Sequence, residues 1–244
     1  MVRVLMCGRA YQTYTQEELA LRYLNEKPLD LPNFSPNFNL CPTQLCPIVV
    51  DDQEGNKQLK LFRWGLIPHW SKDKKSAFKM INARSETVTE KPSFRNAVRH
   101  RRCIVPLSGF YEWKRDGDVK RPFAISLKDQ AVMSVAGIWE TWISPPVEES
   151  SKEELQGEKI FSFSILTTEA NSAMQSIHDR MPVILNPETE ERWLDPKLTD
   201  PLLLKDFFKP CPSDWLQAYE IAPLINNPRN NTQELLKPLS TGET

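Results

Sequence analysis

A β-rich α+β fold, with antiparallel sheets curled into a barrel-like core and helices kept to the periphery, is what this sequence of 244 residues predicts. Three observations carry the prediction. Apolar and aromatic runs of strand length recur along the chain, helix-start signals are few, and neither an internal repeat nor a composition shift divides it. A chain of this length can bury one sizeable core.

The elements follow in order. Thr15-Gln16-Glu17-Glu18 is a capping-box pattern and predicts a helix running to about Leu24. Residues 27–47 hold five prolines with Asn and Ser and read as a loop. Strands are expected at 47–51 (PIVVD), 58–67 (QLKLFRWGLI), 103–113 (CIVPLSGFYEW), 122–128 (PFAISLK) and 131–142 (AVMSVAGIWETW). The stretch DGDVKR at 116–121 reads as a hairpin turn. Residues 144–158 are polar and acidic, a mobile loop by composition. In KIFSFSILT, 159–167, Phe161, Phe163 and Ile165 alternate with Ser162, Ser164 and Leu166, the period of a half-buried strand. Asn186 before PETEERWL places proline at a first helical position, and 202–209 is a third helical stretch.

The formal net charge of −1 leaves no global basic field, so a nucleic-acid partner would need a local patch. Five cysteines without a CxxC pair, an odd count, point to reduced thiols rather than a disulfide framework. No apolar run approaches the roughly 20 residues of a membrane helix, and residues 1–6 are too short for a secretory signal. A cytoplasmic location is expected.

Four stretches could carry chemistry. Cys7-Gly8-Arg9 follows Met6. Were Cys7 the first residue, it would carry an amine of reference pKa near 8 beside a thiol near 8.5, a pair able to trap an aldehyde as a thiazolidine. In SGFYEWK, 108–114, an extended chain sets Phe110, Glu112 and Lys114 on one face and Tyr111 and Trp113 on the other. Partial burial among aromatics would lift the Glu112 carboxyl toward the range useful for proton transfer. His178, in SIHDRMPVIL, suits acid–base work, and Pro182 puts it on a loop or turn entering a strand. Asn82 and Arg84, in MINARSETV, project together and suit a phosphate or sugar oxygen; RNAVRHRRC at 95–103 is the densest basic cluster. Trp64, Trp70 and Trp113 could stack unpaired bases. Each stretch also has a structural reading: a small buried cysteine, a solvated glutamate, a hydrogen-bonded histidine, a solvated basic face, core tryptophans. No ligand-like spacing of His, Asp or Glu suggests a metal.

Taken in order, Cys7-Gly-Arg, Asn39-Leu-Cys-Pro42, Arg63-Trp-Gly-Leu, Asn82-Ala-Arg-Ser-Glu-Thr, Gly109-Phe-Tyr-Glu-Trp, His178-Asp-Arg-Met-Pro and Asn226-Asn-Pro-Arg-Asn-Asn form a series. It resembles the SRAP (SOS response-associated peptidase) family from Cys7 to about Leu236. The resemblance implies a single β-rich domain over 7–244 that senses abasic sites in single-stranded DNA and shields them through a covalent bond from an N-terminal cysteine. It implies Cys7 as nucleophile, Asn82 orienting the sugar, Glu112 moving protons, and His178 assisting amine attack and adduct reversal. Arg9 and Arg84 would hold flanking phosphates, and Pro42 and Trp70 would prop bases apart. No cofactor is implied; the expected partner is abasic single-stranded DNA, bound by a monomer, with no membrane.

Residues 1–6 (MVRVLM) depart from the family's mature form, in which the cysteine is first. In order of preference, translation starts at Met6, the protein removes its own leader, or the chain is a divergent member without a free aminothiol. Two other functions fit the same residues: a cysteine peptidase or N-terminal-nucleophile amidohydrolase built on Cys7, Glu112 and His178, and a non-covalent reader of single-stranded DNA.

Overall fold

The structure, a computed structural model, describes residues 8–24, 33–52, 54–145 and 157–239. Cys7, the leader 1–6 and most of the acidic stretch 144–158 lie outside the described residues.

Two sheets build the molecule. The first has the order β13 (Leu216–Glu220), β8 (Val119–Leu127), β7 (Gly109–Asp116), β1 (Ala10–Gln12), β2 (Asn37–Leu40). The second closes on itself: β10 (Lys159–Glu169) pairs β4 (Lys57–Trp64), which pairs β3 (Leu45–Asp51), then β6 (Arg102–Leu107), then β9 (Met133–Ile143), and β9 returns to β10. This five-strand barrel carries β5 (Asn82–Arg84) and β11 (Arg180–Pro182) on β10, and β12 (Ile184–Leu185) on β9. Two pairings, β10 with β4 and with β5, are parallel, where the sequence suggested antiparallel sheets throughout.

Side-chain alternation sorts the core. Cys46, Ile48, Val50, Cys103, Val105, Phe163 and Ile165 fill the barrel and meet Phe110 and Ile125 of the first sheet. The opposite parity, Val49, Ile104, Ile138 and Leu166, faces outward and is covered by Leu19, Val98 and Trp193 from helices α1 (Gln16–Leu24), α2 (Arg95–His100) and α4 (Pro187–Leu194). Strand β10 is therefore buried on both faces, not half-buried. Ser162 and Ser164 tolerate this because Ser162 Oγ accepts the Ile67 N–H at 2.8 Å and Ser164 Oγ donates to the Met80 carbonyl.

Several other expectations are sharpened. The 103–113 run splits at Ser108 into β6 and β7, which enter different sheets. At that corner a Cβ on Gly109 would lie 2.3 Å from the Ile125 carbonyl oxygen of β8 and from the Tyr11 hydroxyl of β1, so only glycine fits between these neighbouring strands. The proline-rich loop 27–47 contains β2 and the start of β3, since Pro36 and Pro42 end segments without breaking the alternation between them. The 116–121 hairpin forms with Gly117 at φ 59°. The third helix is shorter than expected: α5 (Pro201–Leu204) tightens into a 3₁₀ turn, Lys205–Phe207. A short helix α3 (Ser172–Gln175) also forms. Among the described residues no helix is long and apolar enough to cross a membrane.

Helix α4 starts on a capping box: Asn186 accepts the Thr189 N–H at 2.8 Å while Thr189 Oγ1 accepts the Asn186 N–H at 2.9 Å. We expect Asn186→Ala to cost about 1 kcal/mol, read as a fall in Tm of about 2–4 °C. An unchanged Tm would show that the cap contributes nothing.

Candidate functional site

The chain enters the first sheet through β1. Ala10 pairs Phe110, Tyr11 pairs Gly109, and the Tyr111 N–H donates to the Arg9 carbonyl at 2.9 Å. Phe110 lies in the barrel-side core while Tyr111 and Trp113 belong to the opposite face, as the alternation in 108–114 predicts. Glu112, on the Phe110 face and paired across the ladder with Phe123, is 1% exposed. It is not a solvated surface carboxylate.

The second sheet supplies the facing residues. Ile165, Leu166 and Thr167 of β10 pair Asn82, Ala83 and Arg84 of β5 on one side. On the other side Thr167, Thr168 and Glu169 pair Pro182, Met181 and Arg180 of β11. Asn82 is half-buried and Arg84 is exposed. His178 occupies the turn between α3 and β11. Its Nδ1 lies 3.0 Å from the Arg180 N–H and 2.8 Å from Asp179 Oδ1, contacts that ask for opposite proton placements. The backbone donor is fixed whereas the Asp179 carboxylate is 86% exposed, so we assign Nδ1 as acceptor and the neutral ring's proton to Nε2.

Hairpin and turn meet in a cleft of about 400 Å³, lined by Trp113, Lys114, Arg115 and Lys120 on one side and residues 175–179, His178 included, on the other. Lys114, Arg115 and Lys120 outnumber Asp179, the acidic residue of the lining, so the cleft is net positive. Pro42 sits half-buried in the turn after β2, which docks on β4 through Thr43 N–H to Trp64 O at 2.8 Å. Trp70 is 57% exposed. Trp64 instead is core, donating Nε1 to the Ile81 carbonyl at 3.0 Å, and it presents no stacking surface.

The basic run 95–103 does not form one patch. Arg95, Arg99 and His100 are exposed on α2, but Arg101 pairs with the buried Glu140 at 2.8 Å and Arg102 is buried. A solvated face and a structural clamp share that stretch.

Arg180 was not singled out by sequence reasoning. It donates to both Glu86 oxygens, at 2.7 and 2.9 Å, and to the Thr167 carbonyl at 2.8 Å. The Arg180 guanidinium, with Arg84 adding less, holds the Glu86 carboxyl below its ordinary range. Its position two residues after His178 was the available signal. Of the described cysteines, Cys41, Cys46, Cys103 and Cys211 are free, and burial pushes the Cys46 thiol up to about 12.

These features define a class: a β-barrel protein whose first strand pairs with the strand that carries a buried carboxylate and edges a cationic cleft shared with an imidazole. The chain belongs to the family described as SOS response associated peptidase (SRAP), whose model matches residues 6–228. The abasic site processing protein YoqW of Bacillus subtilis is 40% identical over 233 residues, covering 95% of this chain and 99% of that protein. The abasic site processing protein HMCES of Xenopus tropicalis is 28% identical over 254 residues, covering 92% and 72%. A crystal structure of a protein from Bacteroides thetaiotaomicron superposes with a TM-score of 0.81 at 28% identity, covering 96% of this chain and all of that one.

Proposed function

We propose that this protein processes abasic sites in single-stranded DNA by forming a thiazolidine between Cys7 and the ring-opened sugar, once Cys7 is the first residue. Self-cleavage after Met6 is one route to that state. One geometric relation supports the reading: β1 and Arg9 lie alongside β7, the strand that carries Glu112 and whose Trp113 lines the cleft with His178. The names of the relatives, abasic site processing proteins, agree with it.

The chemistry balances without a cofactor. The unprotonated α-amine adds to the sugar aldehyde, and the carbinolamine loses one water to give an imine. Glu112 delivers the proton that lets hydroxide leave as water. The Cys7 thiol then adds across the C=N bond, sulfur to carbon and proton to nitrogen, closing the ring. Asn82 orients the sugar, and His178 Nε2 assists amine attack and the reverse reaction. Arg9 and Arg84 hold phosphates, and Pro42 and Trp70 separate the flanking bases. Aldehyde is scarce in intact DNA, so the reaction itself selects the lesion and the cationic cleft needs to supply only salt-sensitive affinity.

The test is a denaturing gel after heating protein with a labelled oligonucleotide. A retarded band is expected with an abasic single strand and not with the intact strand, and more weakly with an abasic duplex. No band with the abasic strand, or an equal band with the intact one, overturns the reading. For Glu112→Gln we expect coupling slower by about a hundredfold with unchanged affinity for intact single strands. Wild-type coupling would remove Glu112 from the reaction.

A further inference from the structure

We propose that Asn39 is a positioning residue for the proposed coupling, holding the start of the chain in register with the reacting sugar; the inference rests on the function proposed above. Every polar atom of its side chain is committed. Asn39 Oδ1 accepts from Arg9 Nη1 at 2.6 Å, and Nδ2 donates to the carbonyls of Asn227 at 3.1 Å and Asn230 at 2.6 Å. It is 1% exposed, so none of these bonds competes with water. Arg9 Nη1 also donates to the Ile225 carbonyl at 2.8 Å.

The segment 225–231 is itself anchored to the strands around Asn39. Asn231 Oδ1 accepts the Phe38 N–H at 2.6 Å, Asn226 Oδ1 accepts Trp113 Nε1 at 2.9 Å, and Asn230 Nδ2 donates to the Leu224 carbonyl at 2.8 Å. Segments more than 180 positions apart in sequence therefore meet through Asn39 and Arg9, the latter two positions after the proposed nucleophile. Arg9 Nη1 is spent within the protein; Nη2 makes no hydrogen bond among the described residues and remains for a phosphate. With one guanidinium edge clamped, residues 8 and 9 have little freedom, and a displacement of about 1 Å is enough to slow an oriented reaction by up to about a hundredfold.

The amide is the side chain these partners require. Aspartate would still accept from Arg9, but its second oxygen would face two carbonyls and push the 227–230 segment away. The consequence falls on orientation rather than on DNA contact, because Asn39 is shut off from solvent.

The experiment compares wild type, Asn39→Asp and Asn230→Ala, reading the coupling rate at saturating abasic strand, the strand concentration for half-maximal rate, and the rate with formaldehyde by intact mass. For Asn39→Asp we expect the saturating rate to fall by at least about tenfold, with the half-saturating concentration and the formaldehyde rate within about twofold of wild type. Asn230→Ala, at a half-buried position, removes only the Nδ2 bond to the Leu224 carbonyl and keeps the carbonyl that Asn39 uses, so it should fold normally and shift the same rate in the same direction by less; it carries the test if Asn39→Asp is misfolded. Unchanged saturating rates, or a change confined to half-saturation, overturn the inference while leaving the proposed function standing. A wild-type protein that never couples to the abasic strand overturns the function, and the inference falls with it.

Discussion

Cys7→Ala is expected to yield no adduct that survives heating with an abasic single strand, a loss of at least about a hundredfold against the Cys7-first protein. The substitution leaves the α-amine in place, so the imine still forms; what disappears is the sulfur that closes the ring. Imines hydrolyse readily in water, whereas the thiazolidine ties the same carbon through two atoms of one residue and re-forms when one bond opens. Borohydride should therefore trap Cys7→Ala on the abasic strand, while heating without it releases the DNA. A form retaining residues 1–6 should fail both ways, because its residue-7 nitrogen is an amide with no basic lone pair. Intact mass reports which form is present. A heat-stable band from Cys7→Ala at wild-type yield would rule out the thiol, and a borohydride-trapped band from the leader-bearing form at wild-type yield would rule out the α-amine.

The second large effect is on stability. Arg102 is 6% exposed and donates to four helix-end carbonyls: Nε to Trp193 O at 2.5 Å, Nη1 to Val98 O at 3.0 Å and Arg99 O at 2.6 Å, and Nη2 to Asp195 O at 2.5 Å. One guanidinium thus closes the C-terminal ends of α2 and α4, where helix dipoles favour a cation. Its carbon also sits 5.5 Å over the Trp193 ring. Desolvation lowers its pKa to about 10, which still leaves it charged at neutral pH. We expect Arg102→Leu to cost about 4 kcal/mol, since it strands carbonyls that water does not reach, and to lower Tm by roughly 8–16 °C. Arg102→Lys keeps the charge but loses the fork and should fall between. A Leu variant within about 1 kcal/mol of wild type would show that water or the chain itself satisfies those carbonyls.

Arg102 also shows where sequence reading stops. Within RNAVRHRRC nothing local distinguishes the buried guanidinium from the exposed Arg95 and Arg99. That difference comes from α4, some 90 residues away, packing onto β6. The same holds for Arg9, which reads as a phosphate ligand beside Cys7 until Asn39 and the 225–231 segment are seen to occupy one edge of it. Trp64 and Trp70 read alike as aromatic residues, and only burial separates them. By contrast, the capping box at Thr15, the proline helix start after Asn186 and the 116–121 hairpin are legible because each is closed by partners within a few residues.

The sequence by itself determined the strand-rich class, the parity that sets Glu112 on the Phe110 face, and the ordered motifs that identify the family, since period-2 alternation and residue type are local properties of the chain. The tertiary structure alone decided that the barrel contains one parallel seam, β10 on β4, that His178 and the β7–β8 hairpin share one cleft, and which arginines remain available to a ligand. Those outcomes depend on desolvation and on hydrogen bonds between segments up to about 200 residues apart, and no local pattern encodes which distant carbonyl will meet a buried donor.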